Sequence, residues 1–244
     1  MIKIFQKKNK LIGSWTTTPD QIIFEILINN PFDFHVIDLE HTSINEHQCE
    51  NLIRLSNLKE KNVLIRLTSN NEDQIKKVLD AGANGLILPN IKSNEELNNI
   101  FKKIFYPPLG SRGVGLTRAS DFGSKFTNYY KNINKKLNII SIIENKYSLQ
   151  NLDLITKNKN LDGIMIGPYD LSASLGVPGN FETLIFKKAI KKIISLAKKN
   201  NKKVGIHLVE PDLLKLKKEL IKFDFIIYSI DVLILKREIE KVFK

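Results

Sequence analysis

Short runs of β-branched and other apolar residues alternate along the chain with segments whose apolar positions recur at helical spacing. The runs Leu11–Trp15, Phe34–Leu39, Asn62–Leu67, Gly85–Pro89, Asn138–Ile143, Gly163–Ile166, Lys203–His207 and Phe225–Tyr228 read as strands. The intervening Pro19–Ile28, Asn45–Asn57, Asn71–Ala81, Asn94–Phe105, Tyr147–Lys157, Phe181–Lys199, Asp212–Ile221 and Val232–Phe243 read as helices. Strict strand–helix alternation calls for parallel strands joined by right-handed crossovers. Eight such units in 244 residues predict an α/β fold, a closed (β/α)8 TIM barrel, with 1–244 as one domain. An open doubly wound sheet is the rival, but Gly13-Ser14-Trp15-Thr16-Thr17 supplies no glycine-rich dinucleotide turn after the first strand. The one long irregular stretch, Tyr106 to Gly123, lies between the fourth helix and a further short helical segment. A loop of that length in a compact domain is commonly functional or disordered.

Composition narrows the function classes. Hydrophobic residues make up 42% and charged residues 26%, a globular balance. The lone cysteine, Cys49, has no partner for a disulfide and suits a reducing compartment. No apolar run approaches the roughly 18 residues of a membrane span, and Met1 to Lys8 has no signal-peptide core. A cytoplasmic protein with no membrane partner is the expectation. The net charge of +12 invites a nucleic-acid role, yet the arginines are only Arg54, Arg66, Arg112, Arg118 and Arg237. The densest basic stretch, Lys187 to Lys203, sets Ile190, Ile193, Ile194 and Ala197 on one helical face and lysines on the other. That is a solvated amphipathic helix, so no nucleic-acid partner is expected.

In a (β/α)8 barrel the active site lies at the C-terminal ends of the strands. The second strand ends in Asp38-Leu39-Glu40-His41, the third in Arg66, the fifth in Glu144, and the sixth runs into Gly167-Pro168-Tyr169-Asp170. Any one of these could be a helix cap or a salt-bridge partner; together they converge on one axis. Glu144 and Asp170 come from neighbouring strands, where two close carboxylates repel unless a proton or a cation neutralises them. Two carboxylates with waters or substrate oxygens suit Mg²⁺ or Mn²⁺; a proton-sharing dyad or two separate salt bridges are the alternatives. An imidazole can carry a proton near neutral pH, so His41 is a candidate acid/base, with Asp38, Glu40 or Asp80 as its orienter. Arg66 can hold a carboxylate or a developing oxyanion, and N–H groups after Gly167-Pro168 could grip a carboxylate.

These segments resemble the HpcH/HpaI aldolases, metal-dependent class II pyruvate aldolases related to the citrate lyase β-subunit. The matching stretches are Asp38-Leu39-Glu40-His41, Arg66, Lys76 to Ala83, Tyr106-Pro107-Pro108-Leu109-Gly110-Ser111-Arg112-Gly113-Val114-Gly115, Glu144, and Asp162 to Ser172. They run in order over essentially the whole chain. The resemblance implies a phosphoenolpyruvate/pyruvate-type barrel that cleaves a 2-keto-3-deoxy-4-hydroxy acid to pyruvate and an aldehyde. By it, Glu144 and Asp170 ligate Mg²⁺ or Mn²⁺ (Co²⁺ also fits), and Arg66 steadies the enolate. His41, oriented by Asp80, is the acid/base, and Arg66, Gly167, Pro168, Tyr169 and Asp170 bind the keto acid. It further implies a homo-oligomer, a hexamer, in which the C-terminal helix (about 231–244) is exchanged between subunits. The alternative within the same barrel is a lyase, decarboxylase or citrate-forming enzyme acting on a CoA thioester or oxaloacetate. Leu39 and Leu67 stand where the family often has Gly and Pro, and His207 and Glu210 add polar groups at the seventh strand mouth. Those differences fall where the second substrate would be read.

Overall fold

The computed structural model describes residues 3–6 and 10–243. Eight parallel strands close into a barrel in sequence order, with the last pairing the first. The strands are β1 Leu11–Thr16, β2 Phe34–Asp38, β3 Val63–Arg66, β4 Gly85–Leu88, β5 Asn138–Ile143, β6 Gly163–Ile166, β7 Lys203–Leu208 and β8 Phe225–Tyr228. Each lies within one residue of its predicted span. The helices are α1 Gln21–Ile28, α2 Glu46–Leu58, α3 Glu72–Asp80, α4 Asn94–Ile104, α5 Phe126–Lys136, α6 Lys146–Gln150, α7 Leu152–Lys157, α8 Pro168–Ser174, α9 Leu184–Lys199, α10 Leu213–Lys222 and α11 Asp231–Val242.

Side-chain caps set most helix starts. Asp20, Asn45, Asn71, Ser93, Thr183 and Asp212 each accept a backbone N–H from the first turn of the helix that follows. Three differences from the sequence expectation have local causes. The predicted Tyr147–Lys157 helix is two, α6 and α7, because Asn151 leaves helical geometry between them. The segment after the long loop is a full 11-residue helix, α5. And α8 escapes the pattern because it starts on Pro168 behind Gly167, with no polar capping side chain to announce it.

Two apolar layers hold the fold. Strand faces turned outward pack on the helices, while Trp15, Val36, Leu64, Ile87, Ile140 and Met165 belong to the cluster that fills the barrel. Phe5 joins that inner cluster against the Phe225 ring, at 5.1 Å. Gly13 and Gly205 make room for the phenyl rings. A Cβ on Gly13 would lie 2.5 Å from Phe34, and one on Gly205 would lie 2.2 Å from Phe225. Such layered filling makes the barrel a packed core, so chemistry is confined to its rim.

Candidate active site

The β2–β3 register sets the centre of the rim. Asp38 and Arg66 are direct cross-strand partners at the ends of their strands. The Arg66 guanidinium forks onto Asp38, with Nε donating to Oδ1 at 2.8 Å and Nη2 to Oδ2 at 2.6 Å. Trp15, on β1, donates its indole N–H to Asp38 Oδ2 at 3.3 Å and lies under the guanidinium, 4.9 Å from ring centre to Cζ. Two parallel charge-assisted bonds and an aromatic floor leave Arg66 little rotational freedom. Arg66 also holds Asp38 below the usual carboxylate range against the opposing effect of burial.

Three more carboxylates, Glu40, Glu144 and Asp170, lie close enough to influence one another. Glu40 Oε2 lies 3.0 Å from Arg66 Nη1, off the N–H direction, and so forms an ion pair without an aligned hydrogen bond. Glu144, at the mouth of β5, is buried, and its Oε1 accepts the backbone N–H of Asn90. Burial pushes the Glu144 carboxyl up to about 7 against the Asn90 hydrogen bond, and the charges of Glu40 and Asp170 push the same way. Burial also raises Glu40, opposed by Arg66 and reinforced by Asp38 and Asp170. Asp170, in the first turn of α8, is exposed. Gly167 roofs Glu144: a Cβ there would lie 3.1 Å from Glu144 Cβ and 3.3 Å from Oε2.

This arrangement fits a divalent cation. Arg66 is paired with Asp38 and Glu40, whereas Glu144 and Asp170 form no ion pair among the described residues. Among the described residues no group of three or more His, Cys, Asp or Glu side chains has metal-binding geometry. Two carboxylates fill only part of a six-coordinate oxygen shell, so a cation held by Glu144 and Asp170 would keep positions for substrate oxygens and water.

His41 stands at the rim with its side chain 65% exposed, its Nε2 4.0 Å from Glu40 Oε2. The expected His41–Asp80 pair does not form within the chain. Helix α3 runs back from the rim, so Asp80, its last residue, sits toward the opposite end of the barrel. There it binds Arg112, whose Nη2 donates to Asp80 Oδ1 at 2.5 Å. Gly167 and Pro168 cap and begin α8, whose first turn carries no side-chain cap. Tyr169 is half exposed, and its ring packs edge-on against Phe181 at 5.2 Å.

Sequence reasoning missed Trp15, Asn90 and the clamping role of Asp38. Asn90 follows Pro89 at the mouth of β4 in a left-handed conformation (φ 52°), and its signal was that Pro-Asn step. His207 stacks on Trp15 at 4.5 Å and pairs with the Ser229 carbonyl, and burial lowers its imidazole to about 4. Glu210 receives Arg237 of α11 through two hydrogen bonds of 2.8 and 2.9 Å. It ties the loop after β7 to the last helix.

Residues 11–214 match the HpcH/HpaI aldolase/citrate lyase family. The chain belongs to that family. A 2-keto-3-deoxy-L-rhamnonate aldolase of Salmonella gallinarum is 33% identical over 202 residues, covering 82% of this chain and 75% of that protein. Among solved structures, an HpcH/HpaI aldolase/citrate lyase family protein from Burkholderia cenocepacia superposes with a TM-score of 0.92. It is 24% identical and covers 99% of this chain and 96% of the other. A citrate synthase superposes with a TM-score of 0.85 at 25% identity, covering 96% of this chain and 92% of its own. The HpcH/HpaI barrel is therefore the fold of this chain.

Proposed function

We infer that this HpcH/HpaI family lyase is a class II aldolase cleaving a 2-keto-3-deoxy-4-hydroxy acid to pyruvate and an aldehyde, with Mg²⁺ or Mn²⁺ at Glu144 and Asp170. Co²⁺ suits the same oxygen donors. The observation that carries the reading is the buried Glu144 carboxylate, packed under Gly167 beside Glu40 and Asp170 and facing a clamped Arg66. The name of the Salmonella relative supports the substrate class.

The chain's own groups divide the work. The N–H groups of Tyr169 and Asp170, in the first turn of α8 behind Gly167 and Pro168, orient the keto-acid carboxylate. Arg66, held by Asp38, stabilises the negative charge that gathers on the keto oxygen as the C3–C4 bond breaks. His41 takes the C4 hydroxyl proton, so C4 departs as an aldehyde. The electron pair left at C3 is then quenched by a proton to give pyruvate. Glu40 is the carboxylate beside His41 and is proposed as its orienter. A bound divalent cation supplies Lewis-acid polarisation of the keto oxygen.

The test is pyruvate release from a 2-keto-3-deoxy-4-hydroxy acid by chelator-stripped enzyme, with and without added Mn²⁺. Release that requires Mn²⁺ and falls at least 100-fold in Glu144→Gln is expected. Equal release with and without the cation contradicts the metal assignment, and no release contradicts the aldolase. Family-type lyase chemistry on a CoA thioester or oxaloacetate is the second reading, favoured by the likeness to a citrate synthase.

The same family supports a homohexamer with α11 exchanged between neighbours. Here α11 leaves Val232, Leu235, Ile239, Val242 and Phe243 from 48% to 83% exposed. A row of that kind on a terminal helix suits burial against a second copy.

A further inference from the structure

Beside the catalytic rim lies a groove of about 690 Å³, bounded by the loops after β3 and β4 and by the exposed side of α4. It shares two residues with the site already described. Glu40, paired with Arg66, lines it, and so does Asn90, whose backbone N–H holds Glu144. Glu40 and Asn90 thus join the groove to the rim.

Its polar groups are unevenly used. Asn70 donates its amide to the Pro89 carbonyl at 2.9 Å, but its buried Oδ1 has no partner among the described residues. The Asn90 Oδ1 accepts from Asn145, whereas its amide nitrogen donates to no described residue. Asn99 forms no side-chain hydrogen bond among the described residues. Lys103 Nζ donates to the Asn70 carbonyl at 3.1 Å and keeps two further hydrogens. The groove thus offers an acceptor on Asn70, donors on Asn90 and Lys103, and on Asn99 a group able to do both, carried by the loops after β3 and β4 and by α4. Successive hydroxyl groups, each a donor and an acceptor, complement that set.

Charge narrows the ligand further. Glu40, Glu95 and Glu96 line the groove against the single cation Lys103. A phosphate, a second carboxylate or a CoA tail would meet net negative potential there. An uncharged polyol would not.

We propose that this groove is the distal specificity subsite, reading the hydroxyl groups of an uncharged polyhydroxylated aldehyde. The proposal rests on the aldolase reading and names the half of the substrate which that reading leaves open. Asn70 and Asn99 are specificity residues: they touch the tail and stand apart from the reacting atoms.

The experiment measures aldol addition of pyruvate to glycolaldehyde, glyceraldehyde, erythrose and glyceraldehyde 3-phosphate, with Mn²⁺ present. Wild type is compared with Asn99→Leu, an exposed helix position that folding tolerates, and with Asn70→Ala. Lost hydrogen bonds to a substrate of this kind reduce kcat/KM by roughly 3- to 10-fold each. The expected result is a loss of that size with erythrose, less than 2-fold change with glycolaldehyde, and unchanged methyl exchange of pyruvate. In wild type, glyceraldehyde 3-phosphate is a poorer acceptor than glyceraldehyde. Equal losses for erythrose and glycolaldehyde, no loss with either, or preference for the phosphorylated aldehyde overturns the subsite. Failure of pyruvate exchange in wild type instead overturns the aldolase reading.

Discussion

At the scale of single residues, the buried imidazole of His35 gives an acid limit to stability. His35 accepts or donates to Ser14 Oγ at 2.8 Å, and burial, with the charge of Lys61, lowers it from 6.5 to about 3. The folded chain holds it neutral, while the unfolded chain binds its proton below pH 6.5. Its contribution is therefore complete above pH 6.5 and is lost as the pH falls toward 3. Between pH 6.5 and 4.5 that amounts to roughly 2–3 kcal/mol. Urea unfolding should show wild type losing that much more than His35→Asn over the interval, and parallel losses would contradict it. Gly167 makes a second residue-scale prediction. Gly167→Ala pushes a methyl against Glu144, so Mn²⁺ binding by calorimetry should weaken 10-fold or more with Tm little changed; an unchanged affinity would show that Glu144 is no ligand. The place of Arg66, Glu144 and Asp170 at the rim was legible in the sequence because each is a polar residue ending an apolar strand or beginning the turn after it. The Asp38 clamp was not, because only the β2–β3 register reveals that Asp38 and Arg66 lie opposite each other.

At the scale of elements, the loop from Tyr106 to Thr117 is tied to α3 by a buried ion pair, besides hydrogen bonds from Tyr106 to Asn134 and from Ser111 to Lys102. The Arg112 side chain is 1% exposed, lies 4.5 Å over the Tyr106 ring and reaches Asp80 at the end of α3. The Tyr106 ring in turn stacks on Tyr130 of α5 at 4.9 Å. Removing one partner strands a buried charge, so Arg112→Met and Asp80→Asn should each cost about 3–5 kcal/mol. The double variant should lose less than the two together, as measured by chemical denaturation. Losses below 1 kcal/mol would show that the loop is fastened elsewhere. The loop's length and its Pro-Pro-Gly-Ser-Arg motif marked it in the sequence as special. Its attachment to α3 was hidden, since Asp80 and Arg112 are 32 residues apart. The strands were legible to within one residue because both faces of a parallel barrel strand are buried and read as unbroken apolar runs. Helix α8, short and without a polar cap, left no such mark.

At the scale of the whole molecule, much of the lysine excess lies on solvated helix faces, as on α9. Of the charged rim, the distinctive part is its surplus of carboxylates around one arginine. The exposed apolar row of α11 predicts self-association. Sedimentation should give a multiple of the 28.0 kDa chain mass, six-fold for the hexamer, and deletion of 232–243 should lower it. A monomer at micromolar concentration would contradict the exchanged helix. The central claim is that Arg66, Glu144 and Asp170 form a pyruvate-enolising centre, and NMR of deuterium exchange into the pyruvate methyl tests it most directly. Chelator-stripped enzyme should give no exchange, Mg²⁺ or Mn²⁺ should restore it, and Arg66→Ala should slow it by about 10²–10³-fold. Exchange that persists without metal, or is untouched by Arg66→Ala, would contradict the account.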